Sequence, residues 1–304
     1  MLAIVAPGQG AQTPGFLASW LESASFAERL ASFSEAAELD LAHYGTEADA
    51  DTIRDTAIAQ PLLVASAIAV ARELNVSPGL VAGHSVGELA AAALAGVLSD
   101  EDAVRLVAVR GRAMAEASAV RPTSMTAVIA GKEPEVLDAI EAAGLTAANN
   151  NGSGQIVAAG TVEQLQQLAE NPPRRARLVP LSVAGAFHTI HMEPAVDTLR
   201  AAAAGIAPQD PDIELLSNRD GAIVTSGDDA LERMIAQVAN PVRWDLCMDA
   251  MRDRVTGMLE LTPAGTLTGI VKSNLKDVAL FNLNTPDQLD EARAFAEEHA
   301  SERN

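Results

Sequence analysis

The pentapeptide Gly83-His84-Ser85-Val86-Gly87 constrains the fold more than any other part of this 304-residue chain. It follows a short apolar run at 80–82 and precedes an Ala- and Leu-rich segment at 88–98. This order predicts a buried strand that turns sharply into a helix, and therefore an α/β protein. Paired glycines let the backbone turn closely and expose Ser85, which is a candidate nucleophile. A plain tight turn is the alternative interpretation.

Between residues 121 and 181 the pattern of apolar runs changes. Strands are predicted at 125–130, 146–150, 155–159 and 177–181, and helices at 133–143 and 161–170. The resulting order, βαββαβ, is that of a ferredoxin-like unit of about 60 residues. We therefore expect a small subdomain inserted into the α/β body.

A serine nucleophile needs a base, and the chain has five histidines. His43 lies in a polar stretch, His299 lies near the end of the chain, and His84 is expected to face away from the nucleophile. His188 is preferred over His191 because it lies where the inserted unit rejoins the body. A metal site at His188 and His191 is not expected, because no Cys or carboxylate partner lies at ligand spacing.

Arg110 is the candidate anion-binding residue. It lies in the apolar stretch LVAVRGRAM, and Gly111 after it would let another backbone or a ligand come close. A buried guanidinium would need an anion, and its shape suits a carboxylate. A solvated surface arginine is the alternative.

Composition excludes several classes of protein. Lys and Arg total 21 against 41 Asp and Glu, giving a formal net charge of −20, and aromatic residues make up 3%. Such a chain is poorly suited to nucleic-acid binding. The single cysteine, Cys247, permits no intrachain disulfide. No signal peptide and no apolar run long enough to cross a membrane are expected, so a cytoplasmic protein is predicted.

Motifs along most of the chain resemble those of the malonyl-CoA:acyl carrier protein transacylase family. The motifs that carry the resemblance are GQGAQ (8–12), QPLL (60–63), GHSVGE (83–88), VRGRAM (109–114), NGSGQIVAAG (151–160), GAFH (185–188), LLSNRDG (215–221), NPVRW (240–244) and PAGTLTGIVK (263–272). The resemblance implies an α/β-hydrolase-like large domain at 1–121 and 189–304, with an inserted ferredoxin-like subdomain at 122–188.

The resemblance also implies a ping-pong reaction. Ser85 would attack the malonyl thioester, and His188 would take its proton and return it to the leaving thiol. The backbone N–H groups of Gln9 and Val86 would form the oxyanion hole. Arg110 would bind the free malonyl carboxylate.

Further residues match the family's motif positions. The main-chain carbonyl of Arg243 would orient His188, Gln60 and Asn150 would line the pocket, and Phe187 would favour malonyl over methylmalonyl. No cofactor and no metal are expected, because the CoA thioester is itself a substrate. The expected partners are malonyl-CoA and acyl carrier protein, in fatty acid or polyketide synthesis, with no nucleic acid and no membrane.

The acidic carrier protein would have to dock on a local basic patch. Candidate residues are Arg174, Arg175, Arg177, Lys272 and Lys276, and a solvated basic cluster is the alternative. Three other functions remain open at this point: a serine thioesterase or hydrolase, an acyltransferase that uses another acyl-CoA such as methylmalonyl-CoA, and a catalytically silent binding domain.

Overall fold

The computed structural model describes residues 1–183 and 185–300. Its strands are β1 (Leu2–Ala6), β2 (Leu80–Gly83), β3 (Thr123–Ile129), β4 (Thr146–Asn150), β5 (Gln155–Thr161), β6 (Arg177–Pro180), β7 (Glu214–Leu216), β8 (Ile223–Val224), β9 (Val242–Arg243), β10 (Gly257–Glu260) and β11 (Ala279–Asn282). Its α-helices are α1 (Ala24–Ala37), α2 (Leu41–Thr46), α3 (Thr56–Leu74), α4 (Gly87–Leu94), α5 (Asp100–Val120), α6 (Glu133–Ala142), α7 (Val162–Glu170), α8 (Glu193–Ala203), α9 (Gly227–Ala236), α10 (Trp244–Met251), α11 (Thr266–Asn274) and α12 (Leu289–Glu298).

The larger sheet has six strands in the order β11-β10-β1-β2-β7-β8. Its neighbouring strands are parallel except for the pair β7 and β8. Alternate residues of the central strands enter two different apolar clusters: Ile4 and Val81 pack on one face, and Val5 and Ala82 on the other. A parallel sheet that is covered on both faces confirms the predicted α/β class.

The smaller sheet has five strands in the order β6-β3-β5-β4-β9. Its first four strands, with α6 and α7, follow the predicted βαββαβ order. The fifth strand, β9, comes from beyond the predicted insert and pairs in parallel with β4. The division into domains at 122–188 therefore stays a prediction, and residues 301–304 of the predicted second segment lie outside the described part of the chain.

Helix α3 differs from the expectation that no apolar run in this chain is long enough to cross a membrane. Its 19 residues are long and apolar enough to cross a membrane by length and composition, contrary to that expectation. However, 72% of its most apolar stretch is buried inside the protein, where it packs against α5 and α1. A mostly buried helix of this kind is typical of a soluble protein's core.

Candidate active site

Ser85 lies in the turn between β2 and α4 with a positive φ of 54°. Neighbouring backbone atoms lie too close to Gly83 and Gly87 for either residue to carry a side chain. A Cβ on Gly83 would lie 2.0 Å from the Gly87 carbonyl, and one on Gly87 would lie 2.4 Å from the carbonyl oxygen of Ala6. The two glycines are therefore required by the turn, as the pentapeptide predicts, and the left-handed conformation of Ser85 is the strained feature typical of functional turns.

The Ser85 hydroxyl is hydrogen-bonded to a histidine, 2.7 Å from Oγ to Nε2 of His188. The other ring nitrogen, Nδ1, donates to the main-chain carbonyl of Gln237 at 2.8 Å. That bond leaves Nε2 without a proton, so it accepts from the serine hydroxyl. The structure thus brings His188 to Ser85, while His191 lies beside a separate cavity that it shares with Val120.

The prediction that the carbonyl of Arg243 orients His188 is wrong. Gln237 provides that carbonyl. Arg243 instead pairs its guanidinium with Asp245 at 2.6 Å, and its N–H donates to Asn218 at 2.7 Å. A main-chain acceptor carries no side-chain signature, so nothing in the sequence distinguished the two carbonyls.

His188 is only 3% exposed. Burial disfavours its charged form and, together with the positive charge of Arg110, lowers its pKa to about 3. The imidazole is therefore neutral over the physiological range, which is the state that a general base needs.

The cavity beside Ser85 has a volume of about 210 Å³ and is lined from both sheets. Phe187 lines it, as predicted for the residue before His188, and His84 lines it too, although His84 was expected to face away. The His84 ring is held by Asn151, with 3.0 Å between Nε2 and Oδ1, and packs edge-on against Trp244.

The prediction that Asn150 lines this cavity is also wrong. Asn149 and Asn151 line it, while Asn150 faces a second cavity of about 630 Å³ and donates to Glu133 at 2.8 Å. Side chains alternate along a strand, so a shift of one residue along β4 exchanges the two sides.

The two predicted oxyanion donors follow neighbouring parallel strands. Gln9 follows β1 and lines the cavity, and Val86 follows Ser85 at the start of α4. Within residues 1–183 and 185–300, neither backbone N–H donates a hydrogen bond. Both donors are therefore available to an oxygen that gains negative charge.

Arg110 is buried, with 1% exposure. Its guanidinium donates to two neutral amide oxygens, Oε1 of Gln60 at 2.6 Å and Oε1 of Gln237 at 3.0 Å. Burial lowers its pKa to about 10, and the guanidinium stays charged. A Cβ on Gly111 would lie 2.8 Å from the carbonyl oxygen of Thr56. The absence of a side chain at Gly111 therefore lets α5 pack closely against α3. Arg110 is therefore a buried arginine and not a solvated surface residue.

Arg110 and Gln60 lie behind the cavity. The side chain of Gln60 contacts the cavity-lining side chain of Gln9, 3.5 Å from Nε2 to Oε1. Arg110 contacts Gln237, whose carbonyl holds His188. Arg110 is therefore separated from Gln9 by one residue, Gln60, and from His188 by one residue, Gln237.

Sequence reasoning missed three residues of this network: Glu88, Asn218 and Gln237. Asn218 follows β7, accepts the Ser85 N–H at 2.7 Å and donates to the Gly83 carbonyl at 2.8 Å. Glu88 accepts from Asn218 and Gln237. The motifs GHSVGE and LLSNRDG contain two of the three. However, the contacts of Glu88 with Asn218 and Gln237 join residues more than 100 positions apart, so no local sequence pattern predicts them.

Within the described residues, no group of three or more His, Cys, Asp or Glu side chains is placed to hold a metal ion. The predicted basic residues Arg174, Arg175, Arg177, Lys272 and Lys276 are exposed and lie on two segments. The first three lie in and before β6, and the lysines in and after α11. Ser153 lies in the turn between β4 and β5, and its hydroxyl donates to Oδ1 of Asn274 in α11 at 2.6 Å. This hydrogen bond connects the small sheet to α11.

Known proteins match this chain over most of its length. The family model of the acyl transferase domain matches residues 4–296 of this chain. The malonyl CoA-acyl carrier protein transacylase of Mycobacterium tuberculosis (strain ATCC 25618 / H37Rv) is 51% identical over 298 residues, covering 96% of this chain and 99% of that protein.

Solved structures give the same result. The crystal structure of MCAT from Mycobacterium tuberculosis matches with a TM-score of 0.94 and 50% identity, over 96% of this chain and 99% of that one. A malonyl-transacylase solved in complex with its type II PKS acyl-carrier protein matches with a TM-score of 0.89 and 29% identity, over 96% and 99% of the two chains.

Proposed function

The chain belongs to the acyl transferase domain family, and on that premise we propose that it transfers the malonyl group of malonyl-CoA to the phosphopantetheine thiol of an acyl carrier protein. It is an acyltransferase. The observation that carries the proposal is the Ser85 and His188 pair, 2.7 Å apart, with a buried arginine behind the cavity that is bound to neutral amide oxygens.

In the first half-reaction the Ser85 hydroxyl attacks the malonyl thioester carbonyl while His188 Nε2 takes its proton. The carbonyl oxygen becomes an oxyanion, which the N–H groups of Gln9 and Val86 stabilise. When the C–S bond breaks, His188 gives the proton to the CoA thiol, and the malonyl group remains as an ester on Ser85. The Gln237 carbonyl stabilises the imidazolium that forms between these steps.

In the second half-reaction the carrier's thiol attacks the malonyl ester of Ser85. His188 takes the thiol proton and returns it to the Ser85 oxygen as the ester bond breaks. The thiol of the carrier replaces that of CoA, so the overall reaction exchanges one thioester for another. No cofactor takes part in these steps.

Arg110 binds the free carboxylate of the malonyl group in this mechanism. Its guanidinium is buried and charged, and a carboxylate would add an anionic acceptor to the two amide oxygens that it already has. Phe187, in the cavity wall, leaves little room for a methyl group on the malonyl α-carbon.

The same premise supports a finer description of the fold. The six-stranded sheet corresponds to an α/β-hydrolase-like large domain, and the βαββαβ segment to a ferredoxin-like subdomain inserted at 122–188. The enzyme acts in the cytoplasm, where it supplies extender units for fatty acid synthesis. A polyketide carrier is a second acceptor to test, because one structural relative is bound to such a carrier.

The experiment is intact mass spectrometry after brief mixing with malonyl-CoA, repeated after addition of a pantetheinylated carrier protein. We expect a malonyl adduct that disappears in Ser85→Ala and moves to the carrier. Release of CoA with no adduct and no loaded carrier would indicate a hydrolase. An absence of any reaction would indicate a silent binding domain.

A further inference from the structure

Glu88 is an acidic residue beneath the active site that the mechanism does not use. It lies in the first turn of α4, three residues after Ser85, and is 5% exposed. One carboxylate oxygen accepts from the Asn218 N–H and the other from the Gln237 side-chain amide. A buried carboxylate is costly unless each oxygen is hydrogen-bonded, so this arrangement is a built site rather than an accidental contact.

The side chain of Gln237 lies between opposite charges. Its Nε2 donates to the Glu88 carboxylate, and its Oε1 accepts from Arg110 Nη2 at 3.0 Å. The reverse orientation would place the amide oxygen against the carboxylate and the amide N–H against the guanidinium. Only one of the two amide orientations therefore satisfies both neighbours.

We propose that Glu88 is a positioning residue for acyl selectivity: its carboxylate orients the Gln237 amide, which in turn holds Arg110 in place for an acyl group that carries a free carboxylate. This inference rests on the proposed function and adds to it. Burial raises the pKa of Glu88 to about 8, while the Asn218 N–H and the charge of Arg110 oppose that shift. Despite this rise, each carboxylate oxygen accepts from an N–H group, which is the hydrogen-bonding pattern of the ionised form, and it is this geometry that supports the proposal.

The substitution Glu88→Gln tests the orientation directly, because it keeps the size and one acceptor oxygen. That oxygen can still accept from Asn218, but the new amide N–H then faces the Gln237 amide N–H. Gln237 must turn its oxygen toward residue 88 and its N–H toward Arg110, which then loses an acceptor and faces another donor. The loss affects binding of a carboxylate at Arg110 and leaves the Ser85 and His188 pair in place.

The measurement is the rate of acyl-enzyme formation, followed by intact mass spectrometry, with malonyl-CoA and with acetyl-CoA. Acetyl-CoA has the same leaving group but no free carboxylate. For Glu88→Gln we expect malonyl-enzyme formation to fall about 10- to 100-fold and acetyl-enzyme formation to change less than about threefold. The matched control is Glu232→Gln, which removes an exposed carboxylate that lines the 630 Å³ cavity and pairs with Arg200.

A conservative variant separates orientation from general damage. Glu88→Asp keeps a carboxylate whose two oxygens can accept from Asn218 and Gln237, so the Gln237 amide keeps its oxygen toward Arg110. We expect the ratio of malonyl to acetyl rates in Glu88→Asp to stay within about threefold of the wild type. This variant also gives the test if Glu88→Gln does not fold.

Two results would overturn the inference while leaving the proposed function intact. In the first, the wild type forms malonyl-enzyme and Glu88→Gln keeps the same ratio of malonyl to acetyl rates. In the second, Glu88→Asp folds with that ratio reduced as far as in Glu88→Gln. A wild type that forms no malonyl-enzyme would overturn the proposed function itself, and the inference with it.

Discussion

The two sheets contribute differently to the candidate site. The parallel sheet supplies the turns at the carboxyl ends of β1, β2 and β7, which carry Gln9, Ser85 and Asn218. The small sheet supplies cavity wall, including Asn149 and Asn151. Ser85 and the groups around it come from one sheet because the carboxyl ends of parallel strands meet at one edge, whereas the base His188 lies between β6 and α8. We therefore expect changes beside the parallel sheet to alter the chemistry, and changes in the small sheet to alter how the substrate fits.

The largest effect is expected for the base. His188→Ala should lower the rate of malonyl-enzyme formation about 10³- to 10⁴-fold, because Ser85 loses its proton acceptor. Rapid-quench mass spectrometry with malonyl-CoA measures this rate. His191→Ala is the control and should change the rate less than about twofold. Equal effects of the two substitutions would contradict the assignment of His188.

The next effect concerns Arg110, which contacts Gln237 behind the cavity. Arg110→Ala should lower malonyl-enzyme formation about 100-fold and acetyl-enzyme formation far less, because only the malonyl group carries a carboxylate. Arg112→Ala, two residues further along α5 and exposed, is the matched control. If Arg110→Ala slowed both acyl groups equally, Arg110 would be a structural residue and not the carboxylate-binding group.

A smaller effect is expected on the surface of the small sheet. Charge reversal of Arg174 and Arg175 to Glu should slow transfer to the carrier about tenfold at low salt, because the carrier is acidic. The rate of acylation by malonyl-CoA should not change, since this step does not involve the carrier. Single-turnover transfer from preformed malonyl-enzyme, measured at two salt concentrations, separates the half-reactions. A comparable loss in both would exclude this surface as the docking site.

Neighbouring asparagines test the contribution of the small sheet to fit. Asn151→Ala should raise the KM for malonyl-CoA about fivefold, because it removes a polar cavity group that also holds His84. Asn150→Ala should leave KM within about twofold, because this side chain faces the other cavity. Steady-state kinetics with both variants makes the comparison. An effect of Asn150→Ala as large as that of Asn151→Ala would place both side chains at the substrate.

The smallest change is expected with pH. Because the pKa of His188 is lowered to about 3, the imidazole stays neutral as pH falls from about 7 to about 5. Acylation measured as kcat/KM should therefore fall less than about twofold over this range. A histidine with an ordinary pKa of about 6.5 would lose activity about 25-fold. An inflection near pH 6.5 would show that His188 is more hydrated than its burial indicates.

Much of the fold could be predicted from local patterns. The strand, turn and helix around Ser85 follow from apolar runs and two glycines, and the six elements between 123 and 180 have the predicted order with ends shifted by at most two residues. The start of α5 follows from Ser99, whose hydroxyl accepts from the Asp102 N–H. These features depend on neighbours in the chain. The pairing of β9 with β4 does not, and no local pattern indicated it.

The sequence by itself determined the residue types and the turn: Ser85 between two glycines, a histidine at the end of GAFH, and an arginine in an apolar helix. The tertiary structure alone decided which carbonyl orients His188, which asparagines face the cavity, and that Glu88, Gln237 and Arg110 form one connected set. The reason is physical. A backbone carbonyl has no residue-specific signal, strand register is set by distant partners, and a buried charge depends on groups brought together only by folding.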